Sequence, residues 1–129
     1  MSSYYAHHLG KAVRKRIIQE LIAEYGNRRL AGMLGISPAA ISKYASGIMH
    51  PSDSTMGKAL KLAQGPLREK IAKLIVRDLS SALSEALQEY GEYIDWEDEL
   101  DDLFLKLYLL RKTNPTRWKE LAISRVSPS

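Results

Sequence analysis

Residues 27–46 read NRRLAGMLGISPAAISKYAS, and the order of small, apolar and turn-forming residues in this stretch decides the fold. Leu30, Ala31 and Leu34 fall at helical spacing, which predicts a short helix with one apolar edge. Asn27 is a residue suited to capping its start. Ala31 is small where a second helix has to cross closely. Gly35 takes the left-handed backbone that residues with a Cβ resist. Ser37-Pro38 then reads as a cap and the first residue of a second helix, since proline lacks only an N–H that would be unpaired there anyway. Ile36, Ile41 and Tyr44 share an interior with Leu30 and Leu34, while Ser42 and Lys43 fall on the opposite, outward side. The second helix runs to about Ser46-Gly47.

The flanks continue in helical period. Upstream, Val13, Ile17, Leu21, Ile22 and Tyr25 define one apolar face, closed by Gly26. Downstream, His50-Pro51-Ser52 breaks the chain, and Ser52, Asp53 or Ser54 can cap a fourth short helix through Leu60, Leu62 and Ala63. Gly65-Pro66 breaks it again. From Pro66 to about Tyr90, apolar residues recur at spacings of three and four, which predicts one long amphipathic helix interrupted near Gly91. A further helix carries Trp96, Leu100, Leu103, Phe104, Leu107, Tyr108 and Leu110 up to Asn114-Pro115, and Trp118 and Leu121 suit a last short turn. No stretch alternates with a period of two.

The expected fold is therefore all-α. A four- to five-helix N-terminal domain spans 11–65, and long amphipathic helices span 66–122. Residues 1–10 and 123–129 are expected to be loose tails.

Net charge is +4, but its distribution is uneven. Residues 1–77 hold 13 Lys/Arg against 4 Asp/Glu, whereas residues 78–129 hold 6 against 11. A basic first half suits a polyanion, because neutralising phosphates releases counterions. The basic positions of the helical domain are Lys11, Arg14, Lys15, Arg16, Arg28, Arg29, Lys43, Lys58 and Lys61. Cysteine is absent, which removes disulfides, thiolate metal sites and cysteine nucleophiles together. No apolar run reaches the ~18 residues of a membrane span, and Met1 to Leu9 has no signal-peptide core, so a cytoplasmic protein is expected.

The stretch 27–46 resembles the phage-repressor (Cro/XRE-type) helix-turn-helix proteins. The likeness extends through Gly47, Pro51-Ser52, Leu60 and Leu62, and back over Val13 to Tyr25, about residues 11–64 in all. It implies a module that lays its second motif helix in the major groove of double-stranded DNA. Ser37, Pro38, Ala39, Ser42, Lys43 and Ser46 would face the bases. Asn27, Arg28 and Arg29 would meet phosphate at the start of one helix, and Ser52, Ser54, Thr55 and Lys58 at the start of another. The family often carries glutamine or arginine where this chain has Ser37, Pro38, Ala39 and Ala40, so base discrimination is expected to be modest, with DNA shape carrying part of it.

Such readers commonly pair across a palindrome. A homodimer is expected through Leu79, Leu83, Leu87, Trp96, Leu100, Leu103, Phe104 and Leu107. Its acidic surface would face away from DNA or recruit a protein. Two roles fit: a sequence-specific transcriptional regulator, chiefly a repressor, or an architectural or plasmid-partition adaptor. No enzymatic activity is expected, because the sequence holds no nucleophile–base pair, Gly-rich phosphate loop or paired-histidine motif. No cofactor or metal is expected either. His7, His8 and His50 are dispersed, and the acids Asp95, Glu97, Asp98, Glu99, Asp101 and Asp102 read as the solvated side of an amphipathic helix.

Overall fold

The computed structural model describes residues 4–94 and 100–113, and all regular structure in them is helical. A 3₁₀ turn at Tyr4–His8 precedes α1 (Lys11–Tyr25), α2 (Asn27–Leu34), α3 (Pro38–Ser46), α4 (Asp53–Leu60) and α5 (Gly65–Tyr90). A second 3₁₀ turn, Gly91–Tyr93, and α6 (Asp101–Thr113) follow. Two compact units result, residues 1–86 and 87–129. Trp96, Trp118, Leu121 and the acids Asp95 and Glu97 to Glu99 lie outside the described residues.

The first unit is built around side chains that leave water completely: Ile17, Ile18 and Leu21 of α1, Leu30 of α2, Ile41 of α3 and Met56 of α4. Burying a side chain of this kind contributes about 1.5–3 kcal/mol. Burial therefore holds three short helices that are too short to persist alone. The turn between α2 and α3 has the predicted form. Gly35 sits at φ +68° and ψ +31°, and the Ile36 N–H bonds back to the Ala31 carbonyl at 3.0 Å, closing a Schellman turn. Ser37 caps α3 by accepting from the Ala40 N–H at 3.1 Å. Of the three candidate caps for α4, Ser52 is the one used, accepting from Thr55 N–H at 3.2 Å.

Two expectations change. The cap position of α2 belongs to Gly26 (φ +82°), the one residue between α1 and α2, so Asn27 is the first helical residue and its amide is turned to another use. Residues 4–10 do not behave as a loose tail. Ala6 on the 3₁₀ turn and Leu9 just after it are buried in the core. Arg14 fastens this segment. Its Nε donates to the Leu9 carbonyl at 3.0 Å, and its Nη2 donates to the Ala6 carbonyl and to Asp53 Oδ1, both at 2.7 Å. Its Nη1 reaches the Pro51 carbonyl at 2.9 Å.

The first compact unit also runs past Gly65. Ile71 of α5 is buried, and Leu67, Leu74, Ile75 and Leu79 on the same face pack against the core of α1–α4. Asp78 accepts from the Gly10 N–H at 3.0 Å, at the start of α1. Glu20 of α1 meets Lys70 of α5 at 3.3 Å and Arg16 at 3.0 Å. Burial would raise the Glu20 pKa, but these two cations outweigh it and hold the carboxyl below its usual range. Leu79, expected at a subunit interface, is thus occupied within its own chain. In the second unit, Leu87 and Leu100 are half-buried, and every residue of α6 is exposed.

Candidate nucleic-acid interface

Helix α3 has two sides with different duties. Ile41 and Tyr44 are buried against α1 and α2 and fix the orientation of the helix. Ser37, Pro38, Ala39, Ser42, Lys43 and Ser46 are all exposed on the remaining surface. The helix is tied down in its middle and near its end. In its middle, the Asn27 amide donates from Nδ2 to Ser42 Oγ at 3.0 Å, linking the first residue of α2 to the exposed side of α3. At its end, Gln19 Nε2 donates to the Ala45 carbonyl at 2.9 Å. The latter tie comes from α1 and was not foreseen. No local signal marks it, because the partner carbonyl lies 26 positions along the chain.

These bonds change what the side chains can offer to DNA. The Ser37 oxygen already accepts the cap bond, the Ser42 oxygen accepts from Asn27, and the Ser46 hydroxyl donates to the Lys43 carbonyl at 3.1 Å. The three serines are therefore partly spent on holding the helix. Ala39, with its methyl, and Lys43, with its ammonium, remain as uncommitted chemistry on the exposed face.

The basic residues also divide. Arg28 and Arg29 are exposed in the first turn of α2, and the Arg29 guanidinium lies 5.3 Å from the centre of the Tyr25 ring, a cation–π contact that steadies it. Ser54 and Lys58 are exposed on α4, next to the Ser52 cap, and Thr55 is half-buried. Lys15 lays its side chain along Gly47, with carbons 3.6–3.8 Å from the place a Cβ would take. Arg14 is the exception. Counted above among the basic residues of the domain, it is buried and committed to carbonyls and Asp53. The structure thus groups α3, the start of α2 and the start of α4 on one small domain. It gives Arg14 a structural task and leaves Lys43, Arg28, Arg29 and Lys58 with exposed charges.

The His7 and His8 rings meet edge to face, with centroids 5.2 Å apart, and His7 has a further partner. Its Nδ1 lies 2.6 Å from Asp53 Oδ2. Among the described residues, no group of three or more His, Asp or Glu comes together. The hydrogen bonds from His7 and Arg14 hold the Asp53 carboxyl below the usual carboxylate range.

The family model described as helix-turn-helix matches residues 18–70. Residues 18–70 are a helix-turn-helix domain of the Cro/XRE type. The match begins within α1 and ends within α5, so it takes in the whole motif, α4 and the first turn of the long helix. A helix-turn-helix domain of this kind binds double-stranded DNA and belongs to transcription regulators. Neither a curated protein nor a solved structure matches the chain. No helix among the described residues is long and apolar enough to cross a membrane.

Proposed function

We propose that the chain is a sequence-specific transcriptional repressor that reads a palindromic DNA site as a homodimer, with α3 in the major groove. The exposed face of α3, held by Asn27 in its middle and Gln19 near its end, carries this reading. A helix fixed in this way can present its first turns to base edges without losing side-chain freedom on binding. Lys43 reaches guanine O6 or N7, and Ala39 lies against a thymine methyl. Ser37, Pro38, Ser42 and Ser46 fill the space between helix and groove. Arg28, Arg29, Lys58, Ser52, Ser54, Thr55 and the amide end of α2 near Asn27 engage phosphates and set the register. Repression follows when the site overlaps a promoter.

The test is selection from a pool of random duplexes at two salt concentrations. An enriched palindrome supports the reading. Absence of retention at low salt overturns DNA binding altogether. The internal hydrogen bonds of Ser37, Ser42 and Ser46 favour a second reading, because they leave few groups for base discrimination. On that reading the protein is an architectural or partition adaptor, and retention is salt-sensitive without an enriched motif.

A further inference from the structure

Helix α6 bears more apolar surface than a helix surrounded by water holds. Phe104 is 70% exposed and Leu110 57%, with Leu107 and Tyr108 also open. A helix apolar around most of its circumference belongs in an interior. Apart from Lys106, the charged residues sit at its ends, Asp101 and Asp102 in the first turn and Arg111 and Lys112 in the last. With about 3.6 residues per turn, Asp101, Phe104, Tyr108 and Lys112 fall in one row along the helix. The row is visible in the side chains: Lys112 Nζ lies 5.5 Å from the centre of the Tyr108 ring. Phe104, Leu107, Tyr108 and Arg111 line a common groove beside it.

A row that runs acid, aromatic, aromatic, base is complementary to itself when two copies lie antiparallel. Asp101 of one copy then meets Lys112 of the other, twice across a two-fold axis. The same axis runs between Lys106 and Leu107. Parallel pairing would instead put acid on acid and base on base, which is unfavourable. We propose that α6 is the self-association helix of this protein, pairing antiparallel with α6 of a second copy through Phe104, Leu107 and Tyr108. The Asp101–Lys112 contacts set the direction. The proposal deepens the homodimer reading above and rests on it.

Asp101 and Lys112 are about 16 Å apart along their own helix at 1.5 Å per residue, so they cannot pair within one chain. Any mutual rescue between them must pass between molecules. The full-length chain is therefore studied by analytical ultracentrifugation at micromolar concentration, with helix content followed by circular dichroism. The wild type is expected to be a dimer. D101K and K112D each place two like-charge contacts across the interface and are expected to weaken dimerisation about tenfold. Mixing the two variants makes every contact opposite in sign, and the mixture is expected to regain a dimer that neither component forms. F104D, in the middle of the row, is expected to give a monomer that no mixing rescues.

A monomeric wild type, single variants that dimerise normally, or a mixture that stays monomeric would overturn the proposal. Retention on the random duplex pool is measured in parallel. Charge-dependent pairing without DNA retention overturns the DNA-reading role and leaves the helix pairing in place. Retention by a monomeric wild type does the reverse.

Discussion

Replacing Arg14 by Met tests whether this cation belongs to the fold or to the DNA surface. Methionine keeps most of the aliphatic stem and removes the guanidinium, so packing changes little while the polar contacts vanish. The guanidinium makes contacts of 3.0 Å or shorter with Leu9, Pro51, Ala6 and Asp53, and a longer one of 3.4 Å with the His7 carbonyl. Hydrogen bonds to a charged group are worth about 1.5–3 kcal/mol each, but they do not add, and carbonyls near the surface recover water. Removing one partner of a buried charged network costs about 3–5 kcal/mol. Part of that is returned because the buried charge itself disappears. A loss near 3 kcal/mol is the expected outcome. For a unit of this size, about 4–8 °C per kcal/mol translates it into a melting point lower by about 12–24 °C. The assay is thermal and urea unfolding followed by circular dichroism, together with affinity for duplex DNA at a temperature where the variant remains folded. Affinity should be nearly unchanged there. A melting point within about 3 °C of wild type, accompanied by weakened DNA binding, would refute the structural assignment and place Arg14 on the DNA surface.

Lys43→Ala should relax base preference while keeping most total affinity, whereas Arg28→Ala should weaken all sequences alike and lower the salt slope by about one; selection and salt titrations separate the two. Ser37→Ala removes the cap of α3 and should cost about 1 kcal/mol in urea unfolding. Asp53, with its pKa lowered by His7 and Arg14, favours the fold through its charged form. That contribution is complete above the ordinary carboxylate range near pH 4 and lost as pH falls through the lowered value, so the stability gap between wild type and Asp53→Asn should close in acid, and a gap that persists would exclude the carboxylate as its source. The dimer cycle between D101K and K112D supplies the test of self-association described above.

Much of the architecture was legible because its signals are local. Gly35, Ser37-Pro38 and Ser52 mark turns and caps through residues within four positions of themselves, and each does in space what its chemistry suggests. The apolar spacing of α1 pointed to Ile17 and Leu21, although Ile18 is buried as deeply and lies one residue off the counted face. What was not legible depends on partners distant in sequence. Arg14 reads as one more cation in a basic stretch, and nothing nearby announces Pro51 and Asp53. Asn27 looks like a cap, but Gly26 takes that position and frees the amide for Ser42, fifteen positions on. The docked N-terminal turn had a weak sign, Ala6 and Leu9 three residues apart, too short a pattern to outweigh the polar residues around it. The boundary at Gly65-Pro66 was placed where the helix breaks, yet a break in helix is not a break in packing. Leu67, Ile71 and Ile75 continue the core from the far side of it.

The internal bonds of α3 bear directly on how such a helix discriminates between sequences. A recognition helix with long polar side chains reads bases by bidentate contacts worth about 1–3 kcal/mol each. Here the serines at 37, 42 and 46 spend hydrogen-bonding capacity on caps and ties, and Ala39 offers only a methyl. Under the proposed reading, direct readout per half-site rests mainly on Lys43, a single flexible ammonium, which distinguishes guanine less sharply than a guanidinium fork. Two consequences follow from that economy. Small residues let α3 lie closer to the groove floor, so clashes with mis-shaped or over-wound DNA take over part of the discrimination. A second half-site multiplies whatever preference one half-site has, since the free energies of two equivalent contacts add. A weakly discriminating reader of this kind therefore depends on pairing more than a strongly discriminating one does. On this account self-association through α6 and the sparse chemistry of α3 are two parts of one requirement.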